Sequence, residues 1–227
     1  MLHNRIGGVL RNRKFLWGAA CAAIGAFAAS TPVALVILNA TSAAPGRLPE
    51  GWQLKVNRGT PDITLIGEPS GQVHRFKSRK SSFALERGAD VDITQFPSLT
   101  WTWKVSELPA GGDFRRSSTD DQAAQVLVAF SDRRILNYIW DSSAPKGARQ
   151  TAAAIPFIRI STLVCRSGRR ELNRWLPESH NPAEDYQKAF GHPLARVKAI
   201  RPQINSQHAG SSAESYFGDI SFRGARQ

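Results

Sequence analysis

Apolar and polar residues alternate along most of the chain beyond residue 50, a pattern typical of β-strands. The clearest segment is 99–105, in which Trp101 and Trp103 share one face while threonine and lysine occupy the other. Because successive strand side chains point to opposite faces, this period places both tryptophans in a core. Similar segments occur at 52–56, 63–66, 73–77, 81–86, 124–130, 135–140, 157–165, 170–175, 197–204 and 214–222.

Turn-forming residues separate these segments, and the 13 prolines and 18 glycines of the chain favour a turn-rich architecture. A short turn predicts that 124–130 and 135–140 form a hairpin. A Ser-Gly turn predicts the same for 157–165 and 170–175. Short strands at this spacing are typical of sandwiches, so the predicted fold is an all-β, jelly-roll-like antiparallel β-sandwich.

One segment departs from the strand pattern and predicts a short helix near 181–190. Asn181 is a typical N-cap residue, Pro182 suits the first helical position, and two acidic residues follow in the first turn. Gly191 is positioned to end the helix.

The N-terminal segment places basic residues before an apolar stretch. Residues 11–14 carry three basic side chains, and 15–38 are mostly apolar. A positive flank stays on the cytoplasmic side of a membrane, so the rest of the chain is expected outside it. The sequence predicts that 1–44 are a signal peptide or a membrane anchor and that 45–227 form a single β-sandwich domain, periplasmic or extracellular. If the leader is not cleaved, 15–38 contact the inner membrane.

The net charge is +12, and residues 1–44 contain four basic residues and no acidic ones. The remaining 26 basic and 18 acidic residues give the domain a net charge of +8. Pairs of arginines beside turns carry much of it, which indicates either solvated turn tips or affinity for an anionic surface. The sequence has no nucleic-acid-binding motif, so nucleic acid is not an expected partner.

The cysteines and histidines predict neither a disulfide nor a zinc site within the domain. Cys21 lies in the apolar stretch and Cys165 in a predicted strand, where it is interpreted as a small core residue. The domain's histidines lack the spacing of zinc ligands: His74, His180, His192 and His208.

Five strings in order resemble a bacterial family, the domain of unknown function numbered 3047. The resemblance implies a secreted or periplasmic protein and brings no established activity. It rests on residues 48–52, 119–126, 137–141, 181–191 and 213–220.

A looser resemblance connects the chain to galactose-binding-like and carbohydrate-binding-module jelly rolls. Those domains often end in a strand with an aromatic residue followed by Asp-Asp-Ile, and here 216–220 read Tyr-Phe-Gly-Asp-Ile. In several such modules an acid at this place holds a structural calcium. The resemblance therefore makes Asp219 a candidate metal ligand, although Gly218 stands where the first acid would be. No other cofactor is expected.

Acidic and aromatic residues beside predicted loops are the candidates for ligand binding. Asp120 and Asp121 follow a glycine-rich loop, where they either reach a pocket or cap a turn. Trp140 is either a platform for stacking a sugar or a core residue, because it alternates with Tyr138. The candidate ligand-binding residues are Asp120, Asp121, Gln125, Asn137, Trp140, Asp141 and Glu214.

Three functional hypotheses follow from this sequence. The first is non-catalytic binding of a glycan or anionic envelope polysaccharide. The second is a polysaccharide hydrolase using Asp120 or Asp121 with Glu214, which requires two facing carboxylates. The third is an envelope scaffold without a small ligand, which would show a flat, apolar surface.

Overall fold

The computed structural model of the protein describes one compact unit within Thr31–Gln227. Over the described part, the chain forms two β-sheets, one α-helix and a short 3₁₀ helix. No helix in that part is long and apolar enough to cross a membrane. The described residues are 34–38, 48, 50–69, 71–155 and 157–224.

The first sheet has six described strands, in the order β11-β6-β13-β4-β3, with β1 also paired to β13. All its pairs are antiparallel. Its strands are β1 (Ala34–Leu38), β3 (Ile63–Glu68), β4 (Gly71–Arg79), β6 (Ser98–Glu107), β11 (Leu176–His180) and β13 (Ser212–Arg223).

The second sheet has seven described strands, in the order β2-β5-β12-β7-β8-β10-β9. Its strands are β2 (Trp52–Arg58), β5 (Ser82–Val91), β7 (Ala124–Phe130), β8 (Arg134–Asp141), β9 (Arg149–Ile155), β10 (Ile158–Ser167) and β12 (Val197–Asn205). The 3₁₀ helix is Ser117–Thr119, and the α-helix α1 is Pro182–Phe190.

The core lies between the two sheets and confirms the period-two interpretation. Trp101 and Trp103 are almost completely buried, and their rings meet edge to face with centroids 5.4 Å apart. From the other sheet Tyr138 reaches the Trp101 ring at 5.4 Å, and Trp140 lies 6.1 Å from Trp103. Inward residues of both sheets therefore form one aromatic core, and the predicted jelly-roll-like β-sandwich is confirmed.

Helix α1 begins and ends where the sequence predicts. The Asn181 side chain accepts hydrogen bonds from the backbone N–H groups of Ala183 and Glu184, which lack partners within the helix. Gly191 ends it in the left-handed conformation, with φ of 61°. The buried residues of the helix are Pro182, Asp185 and Tyr186, and Tyr186 belongs to the hydrophobic core.

One predicted hairpin is confirmed and the other is wrong. Strands β7 and β8 pair as an antiparallel hairpin. Strand β10 instead pairs in parallel with β8 and antiparallel with β9, and residues 170–175 form no strand. The sheets therefore include one parallel pair, which the antiparallel prediction did not contain, because strand pairing across the sheet is not encoded in local alternation.

Strand β1 covers the last five residues of the apolar stretch 15–38. It pairs with the end of β13, beyond the part of β13 that pairs with β4. Residues 15–33 lie outside the described residues, so the leader or anchor and its membrane contact stay predictions. The predicted domain start at residue 45 also stays a prediction, although β1 lies before it.

Candidate binding groove

A groove of about 720 Å³ crosses the outer face of the seven-stranded sheet. Its apolar lining residues include Phe114, Leu127, Ala152 and Ile160. We call it the carboxamide groove, because eight asparagine and glutamine side chains line it: Asn57, Gln122, Gln125, Asn137, Gln150, Gln203, Asn205 and Gln207.

Strand alternation explains why amides collect on this face. Val126 and Tyr138 point into the core, so their neighbours Gln125 and Asn137 point out of it. On strand β12, Ile204 lies in the core, so its neighbours Gln203 and Asn205 also point outward. Adjacent strands therefore place amide side chains side by side on the outer surface.

Hydrogen bonds hold several of these amides in fixed positions. The Asn205 Oδ1 atom accepts from the backbone N–H of Gln122 and from Gln125 Nε2, both at 2.8 Å. Asn137 Nδ2 in turn donates to Gln125 Oε1 at 3.1 Å. The buried Asn137 Oδ1 has no hydrogen-bond partner among the described residues. Held in this way, the amides lose little conformational freedom when a ligand binds.

Asp120, one of the predicted ligand-binding residues, lines the groove. Its carboxylate accepts a hydrogen bond from Gln122 Nε2 at 2.8 Å. Burial raises the pKa of Asp120, while the Gln122 hydrogen bond and the nearby His208 act to lower it. The structure thus brings Asp120, Gln125 and Asn137 together in one groove.

Asp121 and Asp141 are buried and bonded to the backbone, and ligand binding by either of them stays a prediction. Both are 0% exposed. Asp121 accepts the backbone N–H groups of His208 at 3.1 Å and Ala209 at 2.6 Å. Each carboxylate satisfies backbone donors and so fixes a loop beside the groove, which agrees with the alternative of turn capping.

Asp141 ties the loop that precedes Asp120 to the loop that follows β8. Its carboxylate accepts the backbone N–H groups of Phe114 at 2.9 Å, Ser143 at 2.8 Å and Ala144 at 2.7 Å. Burial raises the pKa of Asp141, and these three hydrogen bonds act in the opposite direction. In the same loop, a Cβ atom on Gly112 would lie 2.5 Å from the Asp121 carbonyl oxygen, so only glycine fits there.

Trp140 and Glu214 do not line the groove, and ligand binding by either of them stays a prediction. Trp140 is completely buried and its Nε1 donates to the Gly168 carbonyl at 3.2 Å, which confirms the core alternative. Glu214 lies on β13 of the other sheet, where it pairs with Lys77 at 3.1 Å and accepts from the Tyr216 hydroxyl. It therefore does not face Asp120 or Asp121, and the predicted catalytic pair does not form.

Asp219 is exposed on β13. It lines a second depression, of about 590 Å³, on the six-stranded sheet together with Trp175 and Gln72. The Cβ of an alanine at position 218 would lie 2.3 Å from Thr102 Oγ1, which accounts for the glycine in place of the first acid. Calcium binding at Asp219 stays a prediction.

Six of the eight amides that line the groove, and His208, were not predicted from the sequence. Alternation along β12 contained a usable signal, because Gln203 and Asn205 occupy its outward positions once Ile204 is assigned to the core. Gln122, Gln207 and His208 lie outside strands, and only the folded loops bring them to the groove.

Fold and groove together define a jelly-roll β-sandwich with a polar cleft on the outer face of one sheet. The model of the family described as "Protein of unknown function (DUF3047)" matches residues 50–221. The chain therefore belongs to this family, as its five strings indicate. No curated protein matches the sequence.

Solved structures with similar folds include three proteins named for glycan binding or glycan cleavage. One is the xyloglucanase domain of NopAA from Sinorhizobium fredii, in complex with cellobiose, with 9% identity, a TM-score of 0.48, and coverage of 81% of this chain and 97% of that one. Another is endoglucanase 3 from Trichoderma harzianum, with 11% identity, a TM-score of 0.46, and coverage of 86% and 98%.

The third is the family 30 carbohydrate-binding module of a cellulosomal cellulase from Clostridium thermocellum. It has 10% identity and a TM-score of 0.47, and the match covers 86% of this chain and 99% of that one. At these identities and scores the likenesses concern the architecture, so the function of this chain is argued from its own groove.

Proposed function

We propose that the protein binds a glycan chain, without cleaving it, in the carboxamide groove. The observation that carries this proposal is the lining of eight asparagine and glutamine side chains across the outer face of one sheet. Each carboxamide offers both a donor and an acceptor, as each sugar hydroxyl does. The apolar lining residues Leu127 and Ile160 suit the C–H faces of sugar rings.

The volume of the groove and the fixed positions of its amides favour ligand binding over a scaffold role. Ligand pockets commonly enclose about 300–1,000 Å³, and the groove encloses about 720 Å³. A scaffold protein would instead present a flat, apolar surface. Hydrogen bonds already hold Gln125, Asn137 and Asn205 in place, which is the pre-organisation that a specific binding site needs.

The charges at the groove favour a neutral glycan over an anionic polymer. The net charge of +8 on the domain motivates the anionic alternative. Among the described residues that line the groove, however, Arg115 is the one guanidinium group and it pairs with Asp113 at 2.8 Å. Asp120 contributes a negative charge at the same site. The lining therefore lacks the excess of positive charge that would select an acidic sugar.

The carboxylates of the groove favour binding over hydrolysis. Glycoside hydrolysis generally uses two carboxyl groups about 5–10 Å apart on either side of the scissile bond. Among the described lining residues Asp120 supplies the one carboxylate, and Glu214 lies on the other sheet. Asp121 is occupied by backbone N–H groups of the next loop.

Substituting the exposed Gln150 or the half-buried Gln203 should weaken glycan binding without unfolding the protein. In Gln150→Ala and Gln203→Ala, each lost hydrogen bond should cost about 1–2 kcal/mol, which is about 5–30-fold in the dissociation constant. Isothermal titration calorimetry with neutral β-glucan and acidic uronic-acid oligosaccharides would measure the dissociation constants. We expect the neutral series to bind and the acidic series to bind more weakly.

The matched control is Gln72→Ala, which removes a glutamine from the depression on the six-stranded sheet. It should leave binding unchanged. Equal losses in all three variants, or the release of shortened sugars during the titration, would contradict the proposal of non-catalytic binding at this groove.

The proposed location is outside the cytoplasm, in the periplasm or on the outer side of the inner membrane. Its support is the basic flank at 11–14 followed by the apolar stretch 15–38. N-terminal sequencing of the protein recovered from a fractionated cell would show whether the leader is removed, and recovery from the cytoplasm alone would contradict export.

A further inference from the structure

Between the two sheets, three side chains with metal-binding atoms lie together, away from the carboxamide groove. Cys165 projects from β10, and Glu178 and His180 project from the same face of edge strand β11. The Cys165 sulfur lies 3.4 Å from His180 Nε2, which lies 3.7 Å from Glu178 Oε2. All three ligand atoms fall within 4.8 Å of one another.

Two of the distances and the ligand types match a tetrahedral site. Zinc binds thiolate, imidazole and carboxylate with bonds of about 2.0–2.3 Å, which places neighbouring ligand atoms of a tetrahedron about 3.3–3.8 Å apart. The Cys165–His180 and His180–Glu178 separations fall in that range. A thiol and an imidazole also favour zinc-like transition metals over calcium or magnesium, which prefer oxygen ligands.

Neighbouring residues orient the cluster as partners of metal ligands do. Arg166 Nε donates to Glu178 Oε1 at 2.6 Å, which leaves Oε2 directed at His180. On the other side of the imidazole, His180 Nδ1 lies 3.8 Å from Asp185 Oδ2. A metal-binding histidine typically donates its second ring N–H to a carboxylate, and Asp185 lies on that side of the ring at a separation longer than a hydrogen bond.

The same residues are held in place by the core. The His180 ring stacks on Trp101 with centroids 5.2 Å apart and planes 20° apart. Asp185 accepts from the Tyr138 hydroxyl at 2.9 Å and pairs with Arg149 at 2.6 Å. The imidazole therefore keeps Nε2 directed at Cys165 and Glu178 whether or not an ion is bound.

We propose that Cys165, Glu178 and His180 bind a divalent transition metal of the zinc type, with the fourth position filled by water or another small ligand. Two negative ligands balance the charge of the ion, which makes the site neutral between the sheets. Asp185 is a positioning residue for His180 and does not contact the ion.

A nucleophilic Cys165–His180 pair is the competing interpretation. Burial, with the negative charges of Glu178 and Asp185, raises the pKa of the Cys165 thiol well above its usual value. Without a metal the thiol is therefore protonated and 4% exposed, which does not suit a nucleophile. Metal binding would instead displace the thiol proton, so affinity should increase with pH.

The test is a titration of the full-length chain carrying Cys21→Ser with Co²⁺, followed by competition with Zn²⁺. We expect one Co²⁺ per chain with a thiolate-to-cobalt charge-transfer band that Zn²⁺ abolishes. Cys165→Ser should abolish the band, and Glu178→Gln and His180→Asn should weaken binding by more than about 100-fold. Asp185→Asn, which keeps the band, should weaken binding by about 10–100-fold.

His192→Asn is the matched control, because His192 is exposed and its backbone carbonyl contact to Gln187 is retained. It should bind Co²⁺ as the parent does. Circular dichroism would check that each variant is folded. Zn²⁺ should raise the unfolding temperature of the parent but not that of Cys165→Ser. The proposal would be overturned if the folded parent shows no charge-transfer band, or if the band persists in Cys165→Ser. Rapid alkylation of Cys165 at neutral pH, in a chain that binds no Co²⁺, would also overturn it.

Discussion

Trp101→Ala should destabilise the sandwich by about 3–5 kcal/mol, the usual cost of removing a buried aromatic ring. Trp101 contacts Trp103 on its own sheet, Tyr138 on the other sheet, and the ring of His180 on the edge strand. Its loss would leave a cavity where the two sheets meet. Because single domains have a total stability of about 5–15 kcal/mol, this one substitution should remove a large fraction of it.

Urea unfolding followed by far-ultraviolet circular dichroism would measure the change, because the midpoint moves while the slope stays constant. Trp101→Phe is the control, since it keeps a ring against Tyr138 and should cost less than alanine. If Trp101→Ala lowers the stability no more than Trp101→Phe does, Trp101 is not the packing centre that the structure shows.

Mild acid should destabilise the protein through His74. This residue on β4 is 2% exposed, and neither ring nitrogen has a hydrogen-bond partner among the described residues. Burial lowers the pKa of His74 from its usual 6.5 to about 4. The unfolded chain therefore takes up a proton at a higher pH than the folded one does.

The stability from neutral His74 is present above pH 6.5 and is lost as the pH falls towards 4. The loss over that window should be about 3 kcal/mol. His74→Leu stays neutral at every pH and loses no hydrogen bond, so its stability should fall less over the same range. Urea midpoints of both proteins at several pH values between 4 and 7 would measure the difference, and parallel curves would contradict the account.

Local patterns in the sequence predict the centre of the sandwich but not its edges. Alternation at 99–105 fixes which face of β6 is buried, and Asn181 and Gly191 mark both ends of α1. Strands β9 and β11 have weak local signals, since β9 is rich in alanine and β11 contains a proline followed by polar residues. Which strand β10 pairs with depends on contacts across the sheet that no local pattern contains.

The candidate site residues also divide into those that local sequence predicts and those whose roles depend on the folded structure. Asp120 was predicted from its place after a glycine-rich loop, Gln125 and Asn137 were also named as candidates, and the structure brings the three together. Asp121, Asp141 and Trp140 have similar sequence contexts, but burial gives them structural roles. The meeting of Cys165 with His180 depends on the packing of one sheet over the other, so the spacing of the histidines alone did not indicate it.

The central claim is that a glycan occupies the carboxamide groove. The most direct test records ¹⁵N–¹H spectra of the side-chain amide groups while a neutral β-glucan oligosaccharide is added. We predict that the signals of Gln125, Asn137, Gln150 and Gln203 shift with a single saturating curve while that of Gln72 stays still. Shifts confined to Gln72 and the six-stranded sheet, or no shift at any groove amide with any sugar of the neutral and acidic series, would contradict the claim.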